Sequence, residues 1–178
     1  MKVHEQHKEK GPKIVNIAIV IVSTTRYNEI QNGIESTDKT IPLIKQVLDE
    51  HSDISLKATV IVSDNAEQIK KTLDNFLSEN SIHAIIFSGG TGLTTEDITY
   101  ETIQPLLEKE ITGFGELFRF LSYEEIGAAA MLSRATGGKL KNKAVFLLPG
   151  SPKAVELALK KLLIPELHHI VYMITREE

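Results

Sequence analysis

A short glycine-rich segment is the part of the sequence best suited to binding an anion. It reads Ser88, Gly89, Gly90, Thr91 and Gly92 and follows a short apolar run. Three glycines let backbone N–H groups approach a bound group without interference from Cβ atoms, and the two hydroxyls add further polar contacts. This pattern favours phosphate binding. Taken alone, the segment is equally well interpreted as the tight exit of a strand.

Two better-known phosphate motifs are absent from the sequence. The segment lacks the Gly-Lys-Ser/Thr ending of a P-loop, and no G-x-G-x-x-G pattern follows an apolar run. Gly113 and Gly115 come after a helical region and lack the third glycine. The sequence therefore predicts a phosphate site of another kind.

Two aspartates are candidates to act with this segment. Asp97 lies five residues past Gly92, and Asp64 follows the preceding strand-like run. Two carboxylates beside a phosphate indicate a Mg²⁺ ion, which typically takes one or two carboxylates together with phosphate oxygens. The alternative is that both aspartates cap helices, a common use of Asp after a strand.

Further candidates each have a plain structural alternative. Glu116 follows the Gly113–Gly115 bend and, alone, reads as a solvated acid. Ser133 and Arg134 close a predicted helix, where a cation suits the helix dipole. The corner formed by Pro149, Gly150, Ser151 and Pro152 begins the last predicted helix, which makes it either a second anion site or a simple N-cap.

The elements that position these residues alternate along the chain. Apolar runs that predict buried strands are Ile14–Val22, Leu56–Val62, Ala84–Phe87 and Ala144–Leu148. Amphipathic helical patterns separate them, so we expect an α/β fold with a parallel sheet covered on both faces. Ligands of such sheets bind beyond the carboxyl ends of the strands, which also selects Ser23 to Arg26.

Other boundaries are less regular. We expect a loop over Asn28–Thr37, a break in helical structure at Gly113–Gly115, a helix over Ala128–Ala135 and a closing helix over Lys153–Leu163.

Length and composition limit the classes of protein. The 178 residues fit one domain, which we place at 13–178 after a polar, mobile tail over residues 1–12. The absence of cysteine excludes thiolate catalysis and iron–sulfur clusters and favours the cytoplasm. A net charge of −4 with scattered Lys and Arg argues against nucleic acid, and no apolar run is long enough for a membrane span.

The motifs together resemble the molybdopterin-binding family typified by MogA and MoaB. The resemblance covers roughly Ile14 to His169 and rests on five motifs in order, which are Ser88–Gly92, then Asp97, Thr99 and Glu101, then Gly113–Glu116 with Arg119, then Leu132–Ala135, and finally Leu148–Pro152. Each motif is weak alone, whereas the ordered series is specific.

The resemblance implies a three-layer αβα sandwich with a mostly parallel sheet, assembled as a homotrimer or hexamer. It implies adenylylation of the molybdopterin phosphate by Mg-ATP, release of pyrophosphate, and handover to a metal-insertion protein, for molybdenum or tungsten. Asp64 and Asp97 match the family's essential acids and would hold the Mg²⁺. Its substrate-binding positions correspond to Ser88, Gly89, Gly90, Thr91, Gly92, Glu116, Ser133, Arg134, Pro149, Gly150, Ser151 and Pro152.

The departures from the family pattern lie near the N-terminus. Asp38 to Ile41 keeps the hydroxyl of a D-x-S-G motif but loses its glycine, and Ser23 to Arg26 lacks an acid. Two alternatives to an enzyme therefore stay open: a non-catalytic molybdopterin carrier or scaffold, and an interaction module that has kept only the fold.

Overall fold

A six-stranded sheet forms the centre of the computed structural model, which describes residues 10–176. The order across the sheet is β2-β1-β3-β6-β5-β4. The strands are β1 Val15–Val22, β2 Ile54–Val62, β3 Ala84–Ser88, β4 Lys109–Glu110, β5 Thr136–Leu140 and β6 Lys143–Leu148. Most of the predicted N-terminal tail, residues 1–9, lies outside the described residues.

The four strands predicted from apolar runs form the parallel part of the sheet. β1 pairs in parallel with β2 and β3, and β3 pairs in parallel with β6. β5 and β4 add an antiparallel edge that the sequence did not predict. β5 contains Gly137 and Gly138, which are poor strand formers. A Cβ at Gly137 would lie 2.3 Å from the Phe146 ring, so close packing rather than propensity selects glycine there.

Helices cover both faces of the sheet and make the three-layer αβα sandwich that the resemblance implies. They are α1 Thr24–Gln31, α2 Thr40–Leu48, α3 Ala66–Ser78, α4 Thr99–Ile103, α5 Thr112–Ile126, α6 Pro152–Ala158 and α7 Ile164–Thr175. Alternate β1 residues enter different cores. Ile17 and Ile19 pack with α2, α5, α6 and α7, whereas Ala18 and Val20 pack with α3 and α4.

The first four of the ten residues of the first predicted loop are helical. α1 occupies Thr24–Gln31, so the expected loop over Asn28–Thr37 begins only after Gln31. None of the α1 residues is buried, and the helix therefore has no apolar periodicity from which it could be predicted.

The predicted break at Gly113–Gly115 is wrong, because both glycines lie in the first turn of α5. Phe114 and Phe118 of this helix are buried, and burial of two phenylalanines outweighs a cost of about 1 kcal/mol per helical glycine. A Cβ at Gly115 would lie 2.6 Å from the carbonyl oxygen of Ala135, so this glycine allows α5 to approach the chain before β5.

Two other helix boundaries also differ from expectation. Instead of a helix over Ala128–Ala135, the structure has a 3₁₀ helix, Gly127–Leu132, followed by an extended link into β5. The closing helix does not stop at Leu163: a π-helical turn, Leu159–Leu163, joins α6 to α7. The predicted N-cap at Ser151 is confirmed, since its hydroxyl accepts the N–H of Ala154 at 3.1 Å.

The order of the strands indicates where along the sheet a ligand should bind. The chain passes from β1 outward to β2 and then back across β1 to β3, so the direction of winding reverses between β1 and β3. Ligands of open α/β sheets bind at the carboxyl ends of the strands at such a reversal.

Candidate functional site

The glycine turn, Ser88–Gly92, begins where β3 ends, beside the last residue of β1. Gly89 and Gly90 have φ angles of +108° and +62°, which favour glycine. A Cβ on Gly89 would lie 2.2 Å from the carbonyl oxygen of Val22, so only glycine fits against the end of β1. The turn is thus fixed by the sheet beneath it.

The hydroxyls of the turn hold it to the end of β6. Ser88 Oγ donates to the carbonyl oxygen of Pro149 at 3.1 Å, and Thr91 Oγ1 donates to that of Leu148 at 3.5 Å. Their protons are therefore engaged within the protein. The N–H groups of Gly90 and Thr91 donate no hydrogen bond to residues 10–176, which leaves backbone amides as the donors available to an anion.

Both predicted acids lie against this turn. A Cβ on Gly90 would be 3.0 Å from Asp64 Oδ1, and a Cβ on Gly92 would be 2.6 Å from Asp97 Oδ2. The two aspartates reach the turn from different segments, Asp64 from the end of β2 and Asp97 from the loop before α4. Both residues that could hold a divalent cation therefore lie against the same turn.

Neither aspartate caps the helix that follows it. Asn65 is the N-cap of α3, and α4 has no side-chain cap. Asp64 Oδ2 accepts the N–H and the hydroxyl of Thr24 at 2.9 and 2.8 Å. This contact ties the end of β2 to the first residue of α1 and leaves Oδ1 beside the turn.

Asp97 is held as a carboxylate. The hydroxyl of Thr94 donates to it at 2.6 Å and lowers its pKa most strongly. The N–H groups of Thr94 and Gly92 and the charge of Arg134 lower the pKa further, although partial burial opposes them.

Two clefts adjoin the turn and share Ser133. The first has a volume of about 370 Å³ and is lined by the turn itself together with Ile21, Val22, Ser23, Arg26, Asp38, Asp97, Leu132, Ser133, Pro149 and Gly150. The second has a volume of about 460 Å³ and is lined by Tyr100, Glu110, Thr112, Gly115, Glu116, Arg119, Met131, Ser133, Arg134, Ala135 and Thr136.

The sequence-predicted site residues divide between these clefts. The turn, Asp97, Pro149 and Gly150 line the first, Glu116 and Arg134 line the second, and Ser133 lines both. Ser151 and Pro152 lie at the start of α6 and line neither cleft, and Asp64 also lines neither, although it lies against Gly90 of the turn. Glu116 lies on α5, not on an irregular segment, so a helix fixes its direction.

Arg134 does not close a helix, as the sequence suggested, but lies in the link before β5. Its guanidinium donates to the carbonyl oxygens of Thr91 and Gly92 and pairs with Glu101. The ring of Tyr100 lies 4.8 Å away. Because Arg134 also lines the second cleft, it contacts the turn from that side.

Arg26, which the sequence selected only as part of Ser23 to Arg26, and Asp38, to which it assigned no chemical role, both line the first cleft. Arg26 Nη1 donates to Ser23 Oγ at 3.1 Å, and its Nε lies 3.8 Å from Asp38 Oδ1. Nε is buried without a hydrogen-bond partner, and the Asp38 side chain is only 4% exposed. The position of Arg26 after β1 was a usable signal, but Asp38 arrives from a separate loop.

Known proteins share the part of the chain that contains the candidate site. The profile of a family described as a probable molybdopterin-binding domain matches residues 18–169. The chain belongs to this family. The matched range contains the glycine turn, both aspartates and the corner at Pro149–Pro152, so the resemblance inferred from these motifs is confirmed.

Relatives cover nearly the full chain. Molybdenum cofactor biosynthesis protein B of Bacillus cereus is 42% identical over 173 residues, which cover 97% of this chain and 98% of the relative. A crystal structure of a molybdenum cofactor biosynthesis protein B superposes with a TM-score of 0.83 at 42% identity, covering 93% of this chain and 99% of the other.

A third relative is linked to a different metal. The tungsten cofactor synthesizing protein MoaB from Pyrococcus furiosus has a TM-score of 0.80 at 34% identity, covering 93% of this chain and 99% of its own.

Within residues 10–176, no helix combines the length and apolar character needed to cross a membrane.

Proposed function

We propose that this protein adenylylates the phosphate of molybdopterin with Mg-ATP and releases pyrophosphate, in the biosynthesis of the molybdenum or tungsten cofactor. The observation that carries the proposal is the pair of carboxylates, Asp64 and Asp97, against a glycine turn with free backbone amides. Family membership supports the pterin, and the names of the relatives support the pathway.

Two clefts that meet at Ser133 suit a reaction between two substrates. A transfer between a nucleotide and a pterin phosphate requires both anions at one place, since most of the rate enhancement comes from positioning and electrostatics. The turn lines the first cleft and is hydrogen-bonded by Arg134, which lines the second. Arg26 adds a cation to the first. The amides of the turn would hold phosphate oxygens where the substrates meet.

The bond changes need no covalent enzyme intermediate. An oxygen of the molybdopterin phosphate attacks the α-phosphorus of ATP, and a new P–O bond forms. The bond from the α-phosphorus to the bridging oxygen breaks, and its electron pair leaves with pyrophosphate. The lowered pKa of Asp97 keeps its side chain negatively charged, which suits a metal ligand better than a proton donor.

The acidic residues fit Mg²⁺. Mg²⁺ is commonly held by one or two carboxylates together with substrate phosphates, and within residues 10–176 no set of three or more His, Asp or Glu side chains could form a metal cage. Asp64 and Asp97 would hold the ion, which would neutralise charge on the phosphates.

An apolar surface next to the clefts supports assembly as a homotrimer or hexamer. It consists of the exposed side chains Leu117, Phe120, Tyr123, Ile126, Met131 and Leu132. Met131 lines the second cleft and Leu132 the first, so a neighbouring copy would lie close to the site. We place the reaction in the cytoplasm, and the product would pass to a metal-insertion protein.

The decisive experiment mixes purified protein with molybdopterin, ATP and Mg²⁺ and follows pyrophosphate and adenylylated product. We expect Asp64→Asn and Asp97→Asn each to lower turnover by about 10³ or more, the scale for removing charge stabilisation from an active site. Molybdopterin binding should persist in both. Asp74→Asn, at an exposed position on α3, is the matched control.

Unchanged turnover in both site variants would overturn the assigned roles of the acids. Molybdopterin binding without turnover by the unmodified protein would instead favour the carrier function.

A further inference from the structure

Three successive carbonyl groups of the glycine turn accept hydrogen bonds from outside the turn. The N–H of Thr99 donates to the carbonyl oxygen of Gly90 at 2.8 Å. Arg134 Nε donates to that of Thr91 at 2.9 Å, and Arg134 Nη2 donates to that of Gly92. The peptide planes that follow Gly90, Thr91 and Gly92 are therefore each fixed by a donor outside the turn.

These contacts also set where the amides point. In a planar trans peptide, the carbonyl of one residue and the N–H of the next point in opposite directions. With the carbonyls directed at Thr99 and Arg134, the N–H groups of Thr91, Gly92 and Leu93 point away from them. The N–H of Gly92 faces the carboxylate of Asp97, and the N–H of Thr91 donates no hydrogen bond to residues 10–176. The turn and Asp97 line the first cleft, whereas Arg134 does not.

Arg134 is itself held in one orientation. Both carboxylate oxygens of Glu101 accept from the guanidinium, and the Tyr100 ring lies 4.8 Å from its centre. The Arg134 side chain is only 22% exposed. A planar fork can serve two carbonyls and a carboxylate together, whereas a lysine ammonium cannot reproduce this geometry.

We infer that Arg134, held by Glu101, is a positioning residue that fixes the glycine turn, and with it the Asp97 carboxylate that lies against Gly92, for a phosphate and its Mg²⁺ in the first cleft. It acts through the turn and is not itself a ligand of the substrate. The inference rests on the proposed function, because it concerns the phosphate that the turn would bind. Its physical basis is preorganisation, since amides that are already oriented need no rearrangement when the anion binds.

Inorganic pyrophosphate with Mg²⁺ is a suitable probe, and calorimetry gives its dissociation constant without any turnover. We expect Arg134→Lys to weaken pyrophosphate binding at least about tenfold, since it keeps the charge but loses the fork. The amide NMR signals of Gly92 and Leu93 should shift or broaden in this variant, because their peptide planes carry the carbonyls that Arg134 binds, while its melting temperature stays close to that of the unmodified protein.

Glu101→Gln separates positioning from direct binding. The substitution removes a negative charge near the site. If Arg134 contacted the anion directly, the variant would bind pyrophosphate more tightly. A positioning role predicts weaker binding, because Arg134 loses its anchor. Glu156→Gln is the matched control, since Glu156 is also an exposed carboxylate paired with a cation, Lys160, and lines neither cleft.

Each outcome has one meaning. Unchanged pyrophosphate binding in Arg134→Lys, or tighter binding in Glu101→Gln, would overturn the positioning role. If Arg134→Lys fails to fold, Glu101→Gln alone decides in the same way. Absence of pyrophosphate binding by the unmodified protein would count against the proposed function itself.

Discussion

Buried polar groups differ between the two ends of the parallel strands, the amino edge and the carboxyl edge of the sheet. At the amino edge, Lys143 is buried, and its Nζ donates to the carbonyl oxygens of Glu79 and Ile82 at 2.8 and 2.6 Å. Beside it, the N–H of Asn16 donates to Nδ1 of His83 at 2.9 Å. Each of these polar groups has a partner within the protein.

At the carboxyl edge some buried groups are left without partners. Within residues 10–176, the buried side-chain polar atoms that make no hydrogen bond are Arg26 Nε and Thr99 Oγ1, and both lie near the glycine turn. An unpaired buried polar group costs about 1–3 kcal/mol, which a ligand can recover by supplying a partner. Substitutions at the amino edge should therefore change stability, and those at the carboxyl edge should change binding.

The largest effect is expected where the carboxyl edge is also needed for folding. Gly89→Ala would place a Cβ 2.2 Å from the backbone oxygen of Val22, at a φ of +108°. We expect the free energy of unfolding to fall by about 2–4 kcal/mol and pyrophosphate binding to be lost. Denaturant unfolding and calorimetry measure the two effects.

Gly113→Ala is the control for this substitution. A Cβ at Gly113 meets nothing within 4 Å, and alanine is the better helix former, so stability should rise by about 0.5–1 kcal/mol. Equal behaviour of the two variants would contradict the tight packing at Gly89.

Lys143→Met tests the amino edge. The variant keeps the length of the side chain but removes the donor to the carbonyl of Ile82 and one of two donors to that of Glu79. We therefore expect a loss of about 2 kcal/mol in unfolding free energy. Pyrophosphate affinity should not change. A binding defect in a stable Lys143→Met protein would break the separation between the edges.

Thr99→Val tests the carboxyl edge with a smaller expected effect. The hydroxyl of Thr99 has no partner and lies beside Gly90 and Asp64, so its removal should leave stability unchanged or raise it by about 1 kcal/mol. We expect Mg-ATP binding to weaken about tenfold, because the bound state loses a hydrogen bond near Asp64.

Thr102→Val is the matched control on the same helix, since the Thr102 hydroxyl donates to the carbonyl oxygen of Ile98 and faces no ligand. A stability loss without a binding change in Thr99→Val would reverse the interpretation of this hydroxyl.

The smallest expected effect is a pH dependence at the amino edge. Burial lowers the pKa of His83 from its ordinary 6.5, and the charges of Lys143 and His168 lower it further. The unfolded chain therefore binds more protons than the folded protein below this pH. The His83 contribution to stability is complete above about pH 6.5 and is lost as the pH falls through the lowered pKa.

His83→Asn should flatten this fall by about 1 kcal/mol or less, because an amide oxygen can accept the Asn16 N–H without titrating. Unfolding measured at about pH 7.5 and about pH 5 tests it. An equal loss of stability in the variant would assign the dependence to other groups.

Much of the site was predictable because its residues follow apolar runs. Asp64 and the glycine turn come directly after predicted strands, and the carboxyl ends of parallel strands meet at one edge. Ser151 was predictable as a cap because capping depends on neighbours in sequence. Helix α1 was not predictable, since it buries no residue, and β5 was hidden by its glycines.

The sequence by itself determined the glycine turn, the two acids near it and the alternation that builds a parallel sheet, because these features depend on local residue order and on the period of apolar residues. Only the tertiary structure decided that Arg134 binds carbonyl oxygens of the turn, that Arg26 pairs with Asp38, and that two clefts share Ser133. Such contacts join residues far apart in the chain, and their geometry depends on how helices and strands pack, which local patterns do not encode.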